Sequence, residues 1–271
     1  MRDERAGFSA SWVETVIARA LERGSATVFD PFAGAGTTLL AAEKMGVECL
    51  GVEAHPFVAR IASAKLLYRT DPALYLEHIR KVKIRAENLS GCVDNYPALI
   101  RSCLSDRSLE GLNRLWQAWK QLADDSPQSE LVWLTIIAIL CHVSCVGTAP
   151  WQYILPNQTK KSVLSPMLAF ELMVQTQVQD MRIAGKTAAN TAKSVRSDAR
   201  TCLGVPDDFA DLIITSPPYA NNYDYADATL LEMCFAGEIS GKTGSITSLC
   251  ANAVCGLGDD RDLTIACINS S

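Results

Sequence analysis

The sequence has no long uninterrupted apolar run. The longest, residues 131–146, is broken by Thr135, His142 and Ser144. It falls short of the roughly 18 to 20 apolar residues that cross a bilayer, and it reads as a buried helix. There is no excess of positive charge: 25 Lys and Arg stand against 30 Asp and Glu, for a net charge of −5. Any binding to nucleic acid must therefore rest on a local basic patch. The first residues, MRDERAGFSASW, are charged and hold no apolar segment of the signal-peptide kind, so a cytoplasmic location is expected. Ten cysteines are present, but in a chain of 271 residues their irregular spacing reads as reduced thiols, not as a disulfide framework. Cys141, His142 and Cys145 have no second Cys/His pair nearby, so they read as core residues and no metal site is expected. What remains, 48% hydrophobic and 20% charged residues, is globular composition.

Periodicity divides the chain. Trp12, Val13, Val16, Ile17, Ala20 and Leu21 recur at helical spacing, and Gly24 stops that helix. Residues 26–30 form a short strand, 31–36 a glycine turn, 37–45 a helix and 47–52 a second strand ending at Glu53. Pro56 opens another helix, which runs to Leu67. This is the start of an α/β sheet. The middle shows helices over 109–122, 130–146 and 166–183 and no clear strand, with residues 151–161 as a polar, basic loop. The α/β pattern returns with strands at 194–197 and 211–215 and a helix over 226–235. The expected organisation is 1–70 as the first half of an α/β domain, 71–193 as a helical insertion, 194–239 as the second half, and 240–271 as an unassigned tail.

The turn Pro31-Phe-Ala-Gly-Ala-Gly36 directly follows a strand. Its glycines permit a tight backbone and close approach of a ligand, and the next helix begins with unpaired N–H groups. Gly36 is followed by Thr37 and Thr38, not Lys-Ser/Thr, which excludes a P-loop. Leu39 stands where a dinucleotide fingerprint needs a third Gly or Ala, which weakens NAD or FAD. Asp30 ends the first strand and Glu53 the second. A carboxylate at Glu53 suits ribose hydroxyls, whereas Asp30 before the turn would repel a pyrophosphate. A cationic ligand without phosphates, such as S-adenosylmethionine (SAM), fits both.

The strand at 211–215 leads into Ser216-Pro-Pro-Tyr219. Consecutive prolines stiffen the loop and leave carbonyls free to accept. Ser216 adds a hydroxyl and Tyr219 a flat ring, a set that suits an exocyclic amine on a flipped-out base.

Together, Asp30-Pro-Phe-Ala-Gly-Ala-Gly-Thr-Thr38 and Thr215-Ser-Pro-Pro-Tyr219 resemble the cofactor and catalytic motifs of SAM-dependent amino-group DNA methyltransferases. The resemblance covers residues 8–67 and 194–235. It implies a Rossmann-like doubly wound sheet carrying a large helical insertion, and methyl transfer to cytosine N4 or adenine N6. Ser216 at the head of the catalytic motif favours cytosine N4. By the same resemblance, Asp30, Pro31, Phe32, Gly34, Gly36, Thr37, Thr38, Glu53 and Asp198 hold SAM. Ser216, Pro217, Pro218 and Tyr219 form the catalytic loop, and no metal takes part.

Acceptors at the Ser216 hydroxyl and the Pro217 carbonyl would orient the target amine and stabilise its growing positive charge. No proline precedes a cysteine, so the thiol chemistry of the C5-cytosine enzymes is absent. Lys160, Lys161, Asn221 and Tyr223 are candidates for contact with DNA. A restriction or defence partner is implied by family analogy alone. The 52 residues after Tyr219 do not read as the rest of a seven-stranded sheet, so a C-terminally incomplete or divergent domain is expected. The rival readings are an RNA or protein-amide methyltransferase and an inactive DNA-binding remnant of the SAM fold.

Overall fold

A computed structural model describes residues 9–24, 27–149, 152–160, 162–184, 191–216 and 229–239. The chain divides into two compact units. Of the described residues, those within 9–66 and 191–216 fall in one, and those within 67–184 and 229–239 in the other.

The first unit is built on four parallel strands: β1 (Val28–Asp30), β2 (Cys49–Glu53), β5 (Ala192–Arg196) and β6 (Leu212–Ile213), in the order β5-β2-β1-β6. The remaining pair, β3 (Val146–Ala149) and β4 (Gln152–Thr159), lies in the second unit. The strand after β1 lies on one side of it and β6 on the other, so the order reverses at β1. In an open α/β sheet, ligands bind at the carboxyl ends of the strands beside such a reversal. The registers pair Val28 with Cys49 on one side and with Leu212 on the other. Asp211 secures the second junction, its Oδ2 accepting from the Thr27 N–H at 2.9 Å.

Helix α1 (Ala10–Leu21) is capped by Ser9, whose side chain accepts from the Trp12 N–H. Its buried face carries Val13 and Ile17, which join Val28, Leu39, Cys49, Ala62, Ala192 and Ile214 in one core. Full burial of each large aliphatic side chain contributes roughly 1.5–3 kcal/mol. Helix α2 (Thr37–Lys44) follows the glycine turn, and α3 (Pro56–Lys65) starts with proline at its first position. A 3₁₀ turn, Leu66–Arg69, ends it.

The second unit is largely helical: α4 (Pro72–Glu87), α5 (Ala98–Cys103), α6 (Asp106–Leu122), α7 (Pro127–Val143), α8 (Pro166–Ala184) and α9 (Leu230–Ala236). Helix α7 is apolar on nearly every face and buries residues all round, as a central helix must. Helices α4, α6, α8 and α9 pack against it. One polar network interrupts this core: the Tyr75 hydroxyl lies 2.7 Å from Thr135 Oγ1 and 2.5 Å from Gln177 Oε1. No described helix is long and apolar enough to cross a membrane.

The middle of the chain departs from the sequence reading in two ways. Residues Val146–Ala149 and Gln152–Thr159 form an antiparallel pair, β3 and β4, where a loop without strands is expected. Gly147, Pro150 and Pro156 mask a run otherwise rich in strand-forming Val, Thr, Tyr and Ile. Helices α4 and α5 also go beyond the helices legible there. In α4, the basic residues Arg80, Lys81, Lys83 and Arg85 dilute a stripe whose buried members are Tyr75, His78, Ile79, Val82 and Ala86.

Candidate active site

The carboxyl ends of β1 and β2 converge on the glycine turn. Asp30 closes β1 and is 2% exposed. Its Oδ2 accepts from Thr38 Oγ1 at 2.6 Å, and its Oδ1 accepts from the Phe32 N–H at 3.0 Å. Burial pushes its carboxyl up to about 6, against the Thr38 and Phe32 hydrogen bonds and a smaller lowering influence of Thr215. The first helical turn of α2 is thereby locked to the strand end that it follows.

Glu53 closes β2. Its Oε2 accepts from the Gly34 N–H at 3.1 Å and its Oε1 from the His55 N–H at 2.7 Å. Burial raises its pKa, the two backbone donors oppose that, and the charge of Asp30 adds to it. A backbone bond from the Ala33 N–H to the Val52 carbonyl, 2.9 Å, fixes the turn to β2 a second time.

Both glycines of the turn are left-handed, Gly34 at φ +52° and Gly36 at φ +87°. Their surroundings differ. A Cβ on Gly36 would lie 3.3 Å from the Ala62 side chain, whereas one on Gly34 would meet nothing within 4 Å. Gly36 is needed for packing on α3, and Gly34 presents open space at the carboxyl edge of the sheet.

Gly51, in the middle of β2, is a site residue that the sequence reading did not single out. A Cβ there would stand 2.7 Å from Ala33 Cβ and 2.9 Å from Leu39 Cδ2. Close approach of helix to strand is therefore obtained from the second strand, which accounts for Leu39 where a fingerprint glycine is absent. Its signal in the sequence was a glycine inside a strand.

The other expected residues fall as follows. Pro31 is half-buried, Phe32 is exposed on the turn, and Thr37 is exposed at the start of α2. Thr38 is buried with its hydroxyl committed to Asp30, so its influence runs through that carboxylate. Asp198 follows β5 at the same sheet edge. It is gripped by Arg200, with guanidinium contacts of 2.5–3.1 Å, and this holds its carboxyl down at about 2. Ser216 is half-buried, three residues beyond β6, and follows Ile214, whose N–H bonds to the Phe29 carbonyl at 3.0 Å. The start of the segment expected to be catalytic thus emerges beside the β1 end. Lys160 belongs to the second unit, where its Nζ donates to the Cys141 carbonyl at 2.6 Å, near the C-terminus of α7. Lys161, Pro217, Pro218, Tyr219, Asn221 and Tyr223 lie outside the described residues.

The residues present fit SAM and disfavour a pyrophosphate. Two carboxylates border the turn, with open space at a left-handed glycine between them. Among the described residues, no group of three His, Cys, Asp or Glu side chains is placed to hold a metal ion.

The comparisons with known proteins agree with this geometry. Residues 6–64 match the model of the N6/N4 DNA methylase family. The chain is 23% identical over 270 residues to the Type II methyltransferase M.BsoBI of Geobacillus stearothermophilus, with 85% of this chain and 51% of that protein covered. It spans about half the length of this curated relative. The resemblance to amino-group DNA methyltransferases therefore holds. The family match includes the glycine turn and Glu53 and stops before Ser216.

Proposed function

We propose that this chain, similar to the amino-group DNA methylases over its glycine-turn half, is a SAM-dependent methyltransferase acting on an exocyclic amine of a DNA base, with cytosine N4 favoured. One observation carries the reading. The glycine turn with its two carboxylates and the Thr215–Ser216 segment leave adjacent parallel strands at the point where the strand order reverses.

When bound, SAM supplies a methyl group activated by a sulfonium. Asp30 and Glu53 give the site negative potential suited to a cation, and Gly34 leaves room for close approach. The Ser216 hydroxyl accepts a hydrogen bond from the target amine and turns its lone pair outward. Acceptors aimed at that nitrogen favour the charge that grows there during transfer. Catalysis by these residues is mostly positioning. The proposed DNA contacts from Lys161, Asn221 and Tyr223, and the stacking role of Tyr219, rest on the motif alone. Lys160 keeps its carbonyl contact and is a weaker candidate for phosphate.

The test is methyl incorporation from labelled SAM into DNA, RNA and protein, followed by nucleoside mass spectrometry of the DNA. N4-methylcytosine supports the full reading, and N6-methyladenine corrects the base. Label in RNA or protein alone overturns the substrate. SAM binding with no transfer to any of the three supports the remnant.

A further inference from the structure

Thr215 stands two residues beyond β6 and directly before Ser216. The register that pairs Val28 with Leu212 and Phe29 with Ile213 sets Ile214 beside Asp30, and the Ile214 N–H bonds to the Phe29 carbonyl at 3.0 Å. Thr215 is thus delivered to the end of β1. Its Oγ1 is closed off from solvent and has no hydrogen-bond partner among the described residues. Buried hydroxyls are rarely left so, because desolvation without a partner is costly. An acceptor is at hand. Asp30 takes the Phe32 N–H on one oxygen and the Thr38 hydroxyl on the other, and each oxygen keeps a second lone pair. Thr215 already favours the charged form of this carboxyl. The titratable groups about Asp30 are Cys49 and Glu53 of β2, which both feel its charge, and Glu43 of α2, which acts on Cys49 with it. They are two acids and a thiol, so none can neutralise a carboxylate. Residues Leu212 to Ser216 include no titratable side chain, so the β6 side offers only hydroxyls.

We propose that Thr215 is a positioning residue that couples the two motifs: its hydroxyl turns to the ionised Asp30 carboxylate and, through that bond, sets the backbone from which Ser216 projects. The inference rests on the SAM reading above and deepens it. The charge that receives a cationic cofactor also aligns the segment expected to meet the target amine. The competing account is that Thr215 only fills space after β6, as a valine of the same shape would. The two differ in how the variants respond to pH.

The experiment compares wild type, Thr215→Val and Thr215→Ser in the full 271-residue chain. Its first readout needs no ligand: the pH midpoint at which each protein loses urea resistance relative to its own Asp30→Asn derivative. Thr215→Val should carry that midpoint upward by about half a pH unit, an increase of about threefold in proton affinity. Thr215→Ser should stay with wild type. The second readout is methyl transfer from saturating SAM to DNA at about pH 8, where Asp30 is ionised in all three. There kcat should fall about tenfold in Thr215→Val with SAM affinity within about twofold, and Thr215→Ser should keep its rate. One midpoint shared by all three chains overturns the inference in favour of packing, as does a Thr215→Ser that behaves like Thr215→Val. A shifted midpoint with undiminished kcat overturns the coupling. A wild type that binds no SAM, or transfers nothing, overturns the reading above and the coupling with it, whatever the urea midpoints.

Discussion

Asp30 and Thr38 bracket the glycine turn and close it with a single 2.6 Å hydrogen bond from hydroxyl to carboxylate. The bond sits in a buried pocket, so the charge on Asp30 is costly and its proton is held unusually well.

This sets a pH dependence. In the folded chain Asp30 titrates near 6, against an ordinary 3.8. The fold favours the protonated acid, so its stabilising contribution is complete below the unfolded value and is lost as pH rises through the folded one. The loss amounts to about 3 kcal/mol. Relative to Asp30→Asn, wild type should lose urea resistance between about pH 3 and pH 7, the span that runs from the unfolded value through the folded one. A constant difference between the two proteins across that range refutes the assignment. A cation bound beside Asp30 should also release a proton near pH 6, read as buffer-dependent binding heat.

Two glycines should respond differently to alanine. At Gly51 the new methyl collides with Ala33 and Leu39, and overpacking of this kind costs roughly 1–3 kcal/mol. At Gly34 there is room, but φ is +52°, which costs about 1 kcal/mol. Gly51→Ala should therefore lower the melting midpoint more than Gly34→Ala. Gly34→Ala should remove more cofactor affinity than its small stability loss explains, because its methyl fills the open space at the sheet edge. Equal melting midpoints and equal affinities for the two variants count against this division of roles.

Ser216→Ala should abolish methyl transfer and leave SAM affinity within about twofold. The side chain lies after β6, away from the glycine turn's own hydrogen bonds. Paired transfer and binding assays check this. Full activity in the variant removes Ser216 from the catalytic loop.

The helical unit offers a prediction independent of the reaction. Tyr75→Phe deletes the hydroxyl shared with Thr135 and Gln177. Loss of a buried hydrogen-bonding group costs about 1–3 kcal/mol. Chemical denaturation should show that loss without a change in the slope against denaturant.

The α/β half was legible because its signals are local. A glycine pair directly after a strand, acids at two strand ends and Pro56 at a helix start each act within a few residues. Helices α6, α7 and α8 were legible for the same reason, through their apolar spacing. The β3–β4 pair was not, because pairing partners decide a strand while Pro156 and Gly147 speak against one locally. Gly51 escaped for a different cause. It matters through residues far along the chain, Ala33 and Leu39. Sequence spacing carries no trace of such contacts.

Glu53 holds the Gly34 and His55 amides at once. A ligand that reaches this edge meets a turn whose shape was fixed when the chain folded. Little backbone entropy is left to lose on association. Each carboxylate oxygen still has a lone pair beyond the one that its amide occupies, so Glu53 need not release the turn to accept a hydroxyl. Capture should then be governed by diffusion and desolvation, with no slow ordering step before it.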